Sequence, residues 1–219
     1  MKSVAVIPIF NESHALDKLI TKASSFVDHV LVVDDGSRSP IIQSNSDPKK
    51  VTILRHLVNL GKGASLTTGI QWAIQHGAEF VVLLDGDGQH DPIEIPYLLR
   101  PLLEDKLDIV FGSRSFKKNM PFVARFGNIF LTKSINLMFG IQVSDTQSGF
   151  RALRTAVYPK LAWRSPRYAV ETEMVVNTGK NNLRYAEVPI STIYLNGYKG
   201  TTVLDGLRIF INMLSWKFL

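Results

Sequence analysis

No cysteine occurs in the 219 residues, which excludes disulfides and thiolate sites and fits a reducing cytoplasm. Long hydrophobic runs are missing too: the longest, such as FVVLL at 80–84, fall far below the roughly 18 apolar residues of a membrane span. The opening MKSVAVIPIFNES has an apolar stretch too short for a secretory signal and turns polar at once. Two glycine signatures of nucleotide binding are also absent. The turn after the first apolar run, PIFNES, lacks the G-x-G-x-x-G of a dinucleotide-binding domain, and Gly61-Lys62 is followed by Gly63 where a P-loop needs Ser or Thr. There is no internal repeat or low-complexity tract. The basic residues are scattered, with no aromatic-interleaved patch, which argues against nucleic acid as a partner.

What is present is an ordinary globular composition, 45% hydrophobic and 20% charged, with a net charge of +6 that favours anionic partners such as nucleotides, phosphates or anionic lipid. Apolar runs at 3–9, 29–35, 51–56, 80–85 and 108–113 read as buried strands, and helical patterns fill 13–26, 63–77 and 92–105. Asp91 suits an N-cap and Pro92 a first-turn position, while Pro96 and Pro101 are expected to shorten or distort that last helix. The one long irregular connection, 38–50, joins two short runs that need a shared sheet, so 1–219 reads as a single domain. Strands alternating with helices predict an α/β fold with a mostly parallel central sheet and helices on both faces. Ligands of such sheets sit at the carboxyl ends of the strands, which gathers IPIFNE, VVDDGS, LLDGDGQ and FGSR on one rim.

The stretch LLDGDGQH at 83–90 is the most informative on that rim. In an extended chain, side-chain alternation sends Asp85, Asp87 and Gln89 to one side, a cradle for a hard divalent cation that would also need the phosphates of a ligand. The alternative is a polar turn in which the aspartates cap backbone amides. A calcium loop is excluded, because its sixth and twelfth positions would be His90 and Pro96 in place of Gly and Glu.

As a set, IPIFNE, VVDDGS, NLGKGAS, LLDGDGQHDP, FGSR, SDTQSGFRAL and YAVETEM, in this order over about 3–190, resemble the family 2 inverting glycosyltransferases, most nearly the dolichol- and polyprenyl-phosphate mannose or glucose synthases. The resemblance implies a GT-A nucleotide-sugar-binding fold, a UDP- or GDP-linked hexose donor, and Mg²⁺ or Mn²⁺ bridging the donor diphosphate to the D-x-D carboxylates. Carried onto this chain, Pro8, Phe10 and Glu12 line the base pocket and Asp35 contacts base or ribose, whereas Asp34 either does likewise or closes the turn. Lys62 lies near the nucleotide or is a plain surface lysine. Asp85, Gly86 and Asp87 approach the diphosphate, with Asp85, Asp87 and Gln89 as the metal group; His90 receives no role, and a helix cap explains Asp91. Arg114 and Arg125 guide donor and acceptor phosphates, a task suited to a forked, permanently charged guanidinium, with an exposed helix position as the alternative for Arg125. Asp145, Ser148 and Arg151 match an acceptor-loop motif that also reads as a plain strand. Glu171 and Glu173 fall where relatives with hydroxyl acceptors place a catalytic carboxylate: either one is a base, or the pair orients the acceptor loop.

Two segments at about 122–139 and 203–218 form amphipathic helices, the first carrying Arg125, Asn128, Thr132 and Asn136 at helical spacing. Either they pack on the core or they lie in a bilayer interface, with Trp216 and Lys217 near head groups. The second option, with the resemblance, places the enzyme on the cytoplasmic face of a membrane as a peripheral protein with a lipid-phosphate acceptor. Many synthases of that branch carry transmembrane helices after the catalytic domain, which residues up to Leu219 do not include; a separate membrane-anchoring protein, a soluble role and a longer chain are the alternatives. The segment after Tyr194 departs from the relatives' arginine and GKS pattern, with Lys199 as the available substitute, and no Q-x-x-R-W motif of processive polymer synthases occurs.

Overall fold

Six of the seven residues of β1 (Ser3–Ile9) are buried, as expected of a strand covered on both faces, and its alternation divides the core in two. Val4 and Val6 join one cluster with Leu31, Val33, Val81 and Leu83, while Ala5 and Ile7 join the other with Val30, Val32 and Val82. The computed structural model describes residues 2–11, 16–41, 47, 49–104, 107–114, 122–165, 169–191, 193 and 211–217, with 122–128 as backbone only.

Around β1 stand β2 (His29–Asp34), β3 (Val51–Arg55), β4 (Phe80–Leu83), β5 (Ile109–Arg114), β6 (Arg151–Arg154) and β7 (Tyr185–Ile190). They form one sheet in the order β3-β2-β1-β4-β6-β5-β7. All the pairings are parallel except those of β6, which runs antiparallel to both β4 and β5. The five strands expected from the apolar runs are present within a residue or two; β6 and β7 complete the sheet. The order reverses direction at β1, so the carboxyl ends of β1, β2 and β4 frame a crevice where a ligand is expected.

The helices are α1 (Leu16–Ala23), α2 (Lys62–Gln75), α3 (Ile95–Glu104), α4 (Phe122–Phe139), the single turn α5 (Tyr158–Leu161) and α6 (Val170–Lys180). The helix expected over 13–26 is shorter where described, and its residues 13–15 lie outside the described set. Asp91 does cap, accepting from the Ile93 amide at 3.0 Å and pairing with Lys22 at 2.6 Å. A 3₁₀ turn at Pro92–Glu94 leads into α3, which continues through Pro101. The prolines therefore convert the first turn without ending the helix; Pro96 sits in the first turn of α3, where an N–H would be unpaired anyway. Thr132 and Asn136, the members of the α4 polar stripe whose side chains are described, face inward. Thr132 is buried against Thr146 and Asn136 brackets Val143 with two hydrogen bonds, whereas Phe130 and Leu137 face outward.

Helix α2 lies so close to β1 that a Cβ on Gly69 would come within 2.2 Å of Val6 Cγ1. Val6 is β-branched and fully buried, so it has little room to turn away. Gly69→Ala is expected to lose about 1–3 kcal/mol of stability despite alanine's better helix propensity. Urea denaturation checks this; an unchanged or higher midpoint would show that the helix can lift from the sheet at no cost.

Candidate active site

The rim at the carboxyl ends of the strands is assembled by carboxylates that bind backbone. Asp34, at the end of β2, accepts from the Ser37 amide at 2.9 Å, closing the turn, and Arg55 Nε approaches its other oxygen to 3.6 Å. Asp35 Oδ1 receives the Leu60 amide at 2.9 Å and His56 Nδ1 at 2.8 Å, and Oδ2 receives the Gly61 amide at 2.7 Å. His56 reaches on to Thr68 Oγ1 at 3.0 Å. Asp35 is thus buried and occupied in folding the 56–61 loop onto the start of α2; His56, its partner, had no signal in the sequence beyond ending an apolar run. Asn11 adds a second tie, donating its amide to Ser37 Oγ and accepting the Arg38 amide, each at 2.9 Å. Pro8 is buried within β1 and Phe10 is 44% exposed at its end. Glu12 lies outside the described residues.

The D-x-D segment is a turn. Strand β4 ends at Leu83 and Gly88 has φ 73°, so the extended alternation used to align Asp85, Asp87 and Gln89 does not hold. Asp87 Oδ1 instead accepts the Gln89 amide at 3.0 Å, an Asx turn, as in the polar-turn alternative. All three side chains remain partly exposed on the rim. Gly86 packs on β1, where a Cβ would strike Ile9 Cδ1 at 1.9 Å. Gly149 gives the same clearance from the other side, since a Cβ there would fall 2.3 Å from Asp85 Oδ2. The turn is therefore clamped between β1 and the 144–149 loop.

Lys62, the first residue of α2, is the centre of the site. Its Nζ is 2.5 Å from Asp85 Oδ1 and 2.5 Å from Glu171 Oε1. Burial opposes the ammonium, but the two carboxylates outweigh that and hold its pKa well above the ordinary lysine value. Burial likewise pushes the Asp85 carboxyl up, and Lys62, His90 and Arg114 together bring it below the usual range. Arg114, at the end of β5, forms a fork on Asp145, with Nε to Oδ2 at 2.6 Å and Nη2 to Oδ1 at 3.0 Å. The fully buried Arg151 donates to the carbonyls of Ser148 at 2.9 Å, Glu171 at 2.7 Å and Thr146 at 2.9 Å. It ties the 144–149 loop to the start of α6. Ser148 is buried beside it.

Glu171 therefore joins the site and Glu173 does not: both oxygens of Glu173 accept backbone N–H groups, from Arg164 and Ser165, at 2.9 Å each. Gln89 holds the chain after β7 through its carbonyl, which accepts the Ile193 amide at 2.8 Å. The Arg125 side chain and Lys199 lie outside the described residues. Among the described residues no group of three or more histidines or acidic residues could hold a metal ion. What the turn does offer is two carboxylates and an amide, all hard oxygen donors, with Gly149 leaving room for the Asp85 carboxylate. That set fits a Mg²⁺ or Mn²⁺ ion whose shell is completed by phosphate oxygens and water.

His90 is buried against Phe150, and its Nδ1 has no hydrogen-bond partner. Burial lowers its pKa from 6.5 to about 4, against the pull of Asp85 and with the repulsion of Arg114 and Lys62. The ring is neutral at pH 7. As pH falls, the unfolded chain takes up this proton first, so stability drops between about pH 6.5 and pH 4 and this residue removes nothing further below that. His90→Phe is expected to lose roughly 2–3 kcal/mol less than the parent between pH 7.5 and 4.5. Equal losses in denaturant titrations of the two proteins would contradict a buried neutral imidazole.

A sequence profile described as glycosyl transferase family 2 matches residues 4–162. The UDP-N-acetylglucosamine–dolichyl-phosphate N-acetylglucosaminyltransferase of Methanococcus voltae is 32% identical over 97% of this chain and 94% of its own. Polyprenol monophosphomannose synthase of Mycolicibacterium smegmatis is 27% identical over 87% of this chain and 77% of its own. In structure, the chain resembles glucosyl-3-phosphoglycerate synthase of Mycobacterium tuberculosis in complex with Mn²⁺, UDP and glucosyl-3-phosphoglycerate. The TM-score is 0.73 at 18% identity, over 99% of this chain and 80% of that one. The chain belongs to glycosyl transferase family 2: it is a glycosyltransferase, and its seven-stranded sheet is that of the GT-A fold.

Proposed function

We propose that the protein transfers a hexose from a UDP- or GDP-linked donor to a polyprenyl phosphate, with inversion and with Mg²⁺ or Mn²⁺ as cofactor. The observation that carries this reading is the set of alternating charges on the rim. Lys62 is set between Asp85 and Glu171, and Arg114 is paired with Asp145, beside the D-x-D turn. The polyprenyl- and dolichyl-phosphate acceptors in the names of the two relatives support the acceptor class. Asp85, Asp87 and Gln89 would hold the ion, which as a Lewis acid offsets charge building on the departing diphosphate. The chain's own part is positional. Asp35 and His56 fix the loop that leads to Lys62, Gly86 lets the turn pack on β1, Gly149 makes room for the Asp85 carboxylate, and Arg114, oriented by its fork on Asp145, would guide phosphate together with Arg125.

A lipid phosphate is ionised at neutral pH, so its transfer needs no strong general base. The hydroxyl-acceptor alternative would use Glu171 or Glu173 as that base. Glu173 is occupied by two backbone amides and Glu171 by the Lys62 ammonium, so neither carboxylate stands free to meet an acceptor hydroxyl. The lipid-phosphate reading is accordingly favoured.

Transfer of labelled sugar from a panel of UDP- and GDP-sugars into undecaprenyl or dolichyl phosphate, with Mn²⁺ and with EDTA, tests the proposal. Metal-dependent label in the lipid is expected, and Asp85→Asn is expected to lower it at least 100-fold, about 2.7 kcal/mol of transition-state stabilisation. Metal-dependent donor hydrolysis with no lipid product would overturn the acceptor assignment.

No described helix is long and apolar enough to cross a membrane. The outward residues Phe130, Leu137 and Ile211, with Lys133 beside them, support peripheral contact with the cytoplasmic face of a membrane, directly or with a separate anchoring protein. Leu137 is 88% exposed, so Leu137→Glu is expected to leave folding intact. It should reduce co-sedimentation with phosphatidylglycerol vesicles several-fold, and unchanged sedimentation would remove this face from the contact.

A further inference from the structure

Lys62 Nζ is shared evenly between Asp85 and Glu171, at 2.5 Å from one oxygen of each. The two carboxylates come from different ends of the fold. Asp85 stands on the turn after β4, partly exposed, while Glu171 is 5% exposed in the first turn of α6. Glu171 is also fixed from behind, because its carbonyl accepts from the buried Arg151 and the next residue, Thr172, receives the Gln147 side-chain amide at 2.8 Å. Lys62 hangs from the first residue of α2 on a flexible four-carbon stem, with three donors that can be redistributed. One partner is thus mobile, one anchored and buried, and one borne on the turn that faces the rim.

We infer that Lys62 is a resident counter-ion that competes with the divalent metal for Asp85, and that Glu171 is the berth that receives its ammonium when the metal binds. This rests on the proposed metal site at Asp85 and Asp87. A dication held by the Asp85 carboxylate would repel an ammonium 2.5 Å from its Oδ1, so the ammonium would be displaced. Without Glu171 it would be left partly buried and unpaired, which is costly; with Glu171 it stays neutralised through a shift of its terminal bonds. The same arrangement keeps Asp85 charged and aimed at the rim. Glu171 is then a positioning residue, acting on the metal through Lys62.

The competition is read directly by titrating the whole protein with Mn²⁺ alone and following free Mn²⁺ by electron paramagnetic resonance. Lys62→Met, which keeps the length of the side chain, is expected to tighten Mn²⁺ binding about tenfold, or 1.4 kcal/mol. Glu171→Gln, which leaves the ammonium to Asp85 alone, is expected to weaken it several-fold. In Lys62→Met/Glu171→Gln the effect of the second change should vanish, because no ammonium remains to be placed. That double variant also removes one positive and one negative charge together, so it guards against misfolding of the single variants, with circular dichroism as the check. Mn²⁺ binding that depends on Asp85, shown by its loss in Asp85→Asn, but is unchanged or weakened in Lys62→Met overturns the counter-ion role alone. Binding indifferent to Asp85→Asn overturns the metal site and this inference with it.

Discussion

An ammonium placed between two carboxylates from distant parts of the chain is the interaction on which the rim depends. Lys62 opens α2, Asp85 follows β4 and Glu171 opens α6, and these meet only because the sheet brings the carboxyl ends of β1 and β4 beside the loop that leads into β6. Its position in turn depends on Asp35, whose carboxylate receives the Leu60 and Gly61 amides and thereby sets where α2 begins. The hierarchy runs from backbone-binding carboxylates that shape loops to side-chain pairs that face a ligand.

The antiparallel β6 has a similar organising effect. Its reversal between β4 and β5 places the start of the strand, at Arg151, on the same rim as the ends of its neighbours. The 144–149 loop therefore arrives beside the D-x-D turn, where Gly149 makes room for Asp85 and Asp145 fixes Arg114. Arg151 is buried because its three donors satisfy three loop and helix carbonyls. Burial lowers its pKa from the ordinary arginine value to about 10, and it remains charged at neutral pH.

Much of the fold was legible because strands buried on both faces read as unbroken apolar runs, and the rule that ligands gather at their carboxyl ends located the rim. What the sequence hid was long-range. Nothing local marks RALR as antiparallel, since its neighbours in the sheet lie roughly 40 to 70 residues away in the chain. The motif residues were found, but a motif states only that a carboxylate is needed. Asp35 and Glu173 turned out to bind backbone, which depends on where loops 56–61 and 164–165 pass. Residues 85–89 have the spacing of a strand, yet they form a turn in which Gly88 takes φ 73°, so the alternation that was to align Asp85, Asp87 and Gln89 does not hold. His56, Asn11 and His90 carried no pattern that sequence reading could use.

The central claim is that the nucleotide diphosphate and the metal meet at Asp85 on this rim. Phosphorus-31 relaxation of bound UDP or GDP in the presence of substoichiometric Mn²⁺ reports that proximity without requiring an acceptor. The account predicts strong paramagnetic broadening of both phosphorus signals in the parent protein and its loss in Asp85→Asn, with nucleotide still bound. Broadening that persists in Asp85→Asn, or nucleotide binding with no broadening in the parent, would contradict it.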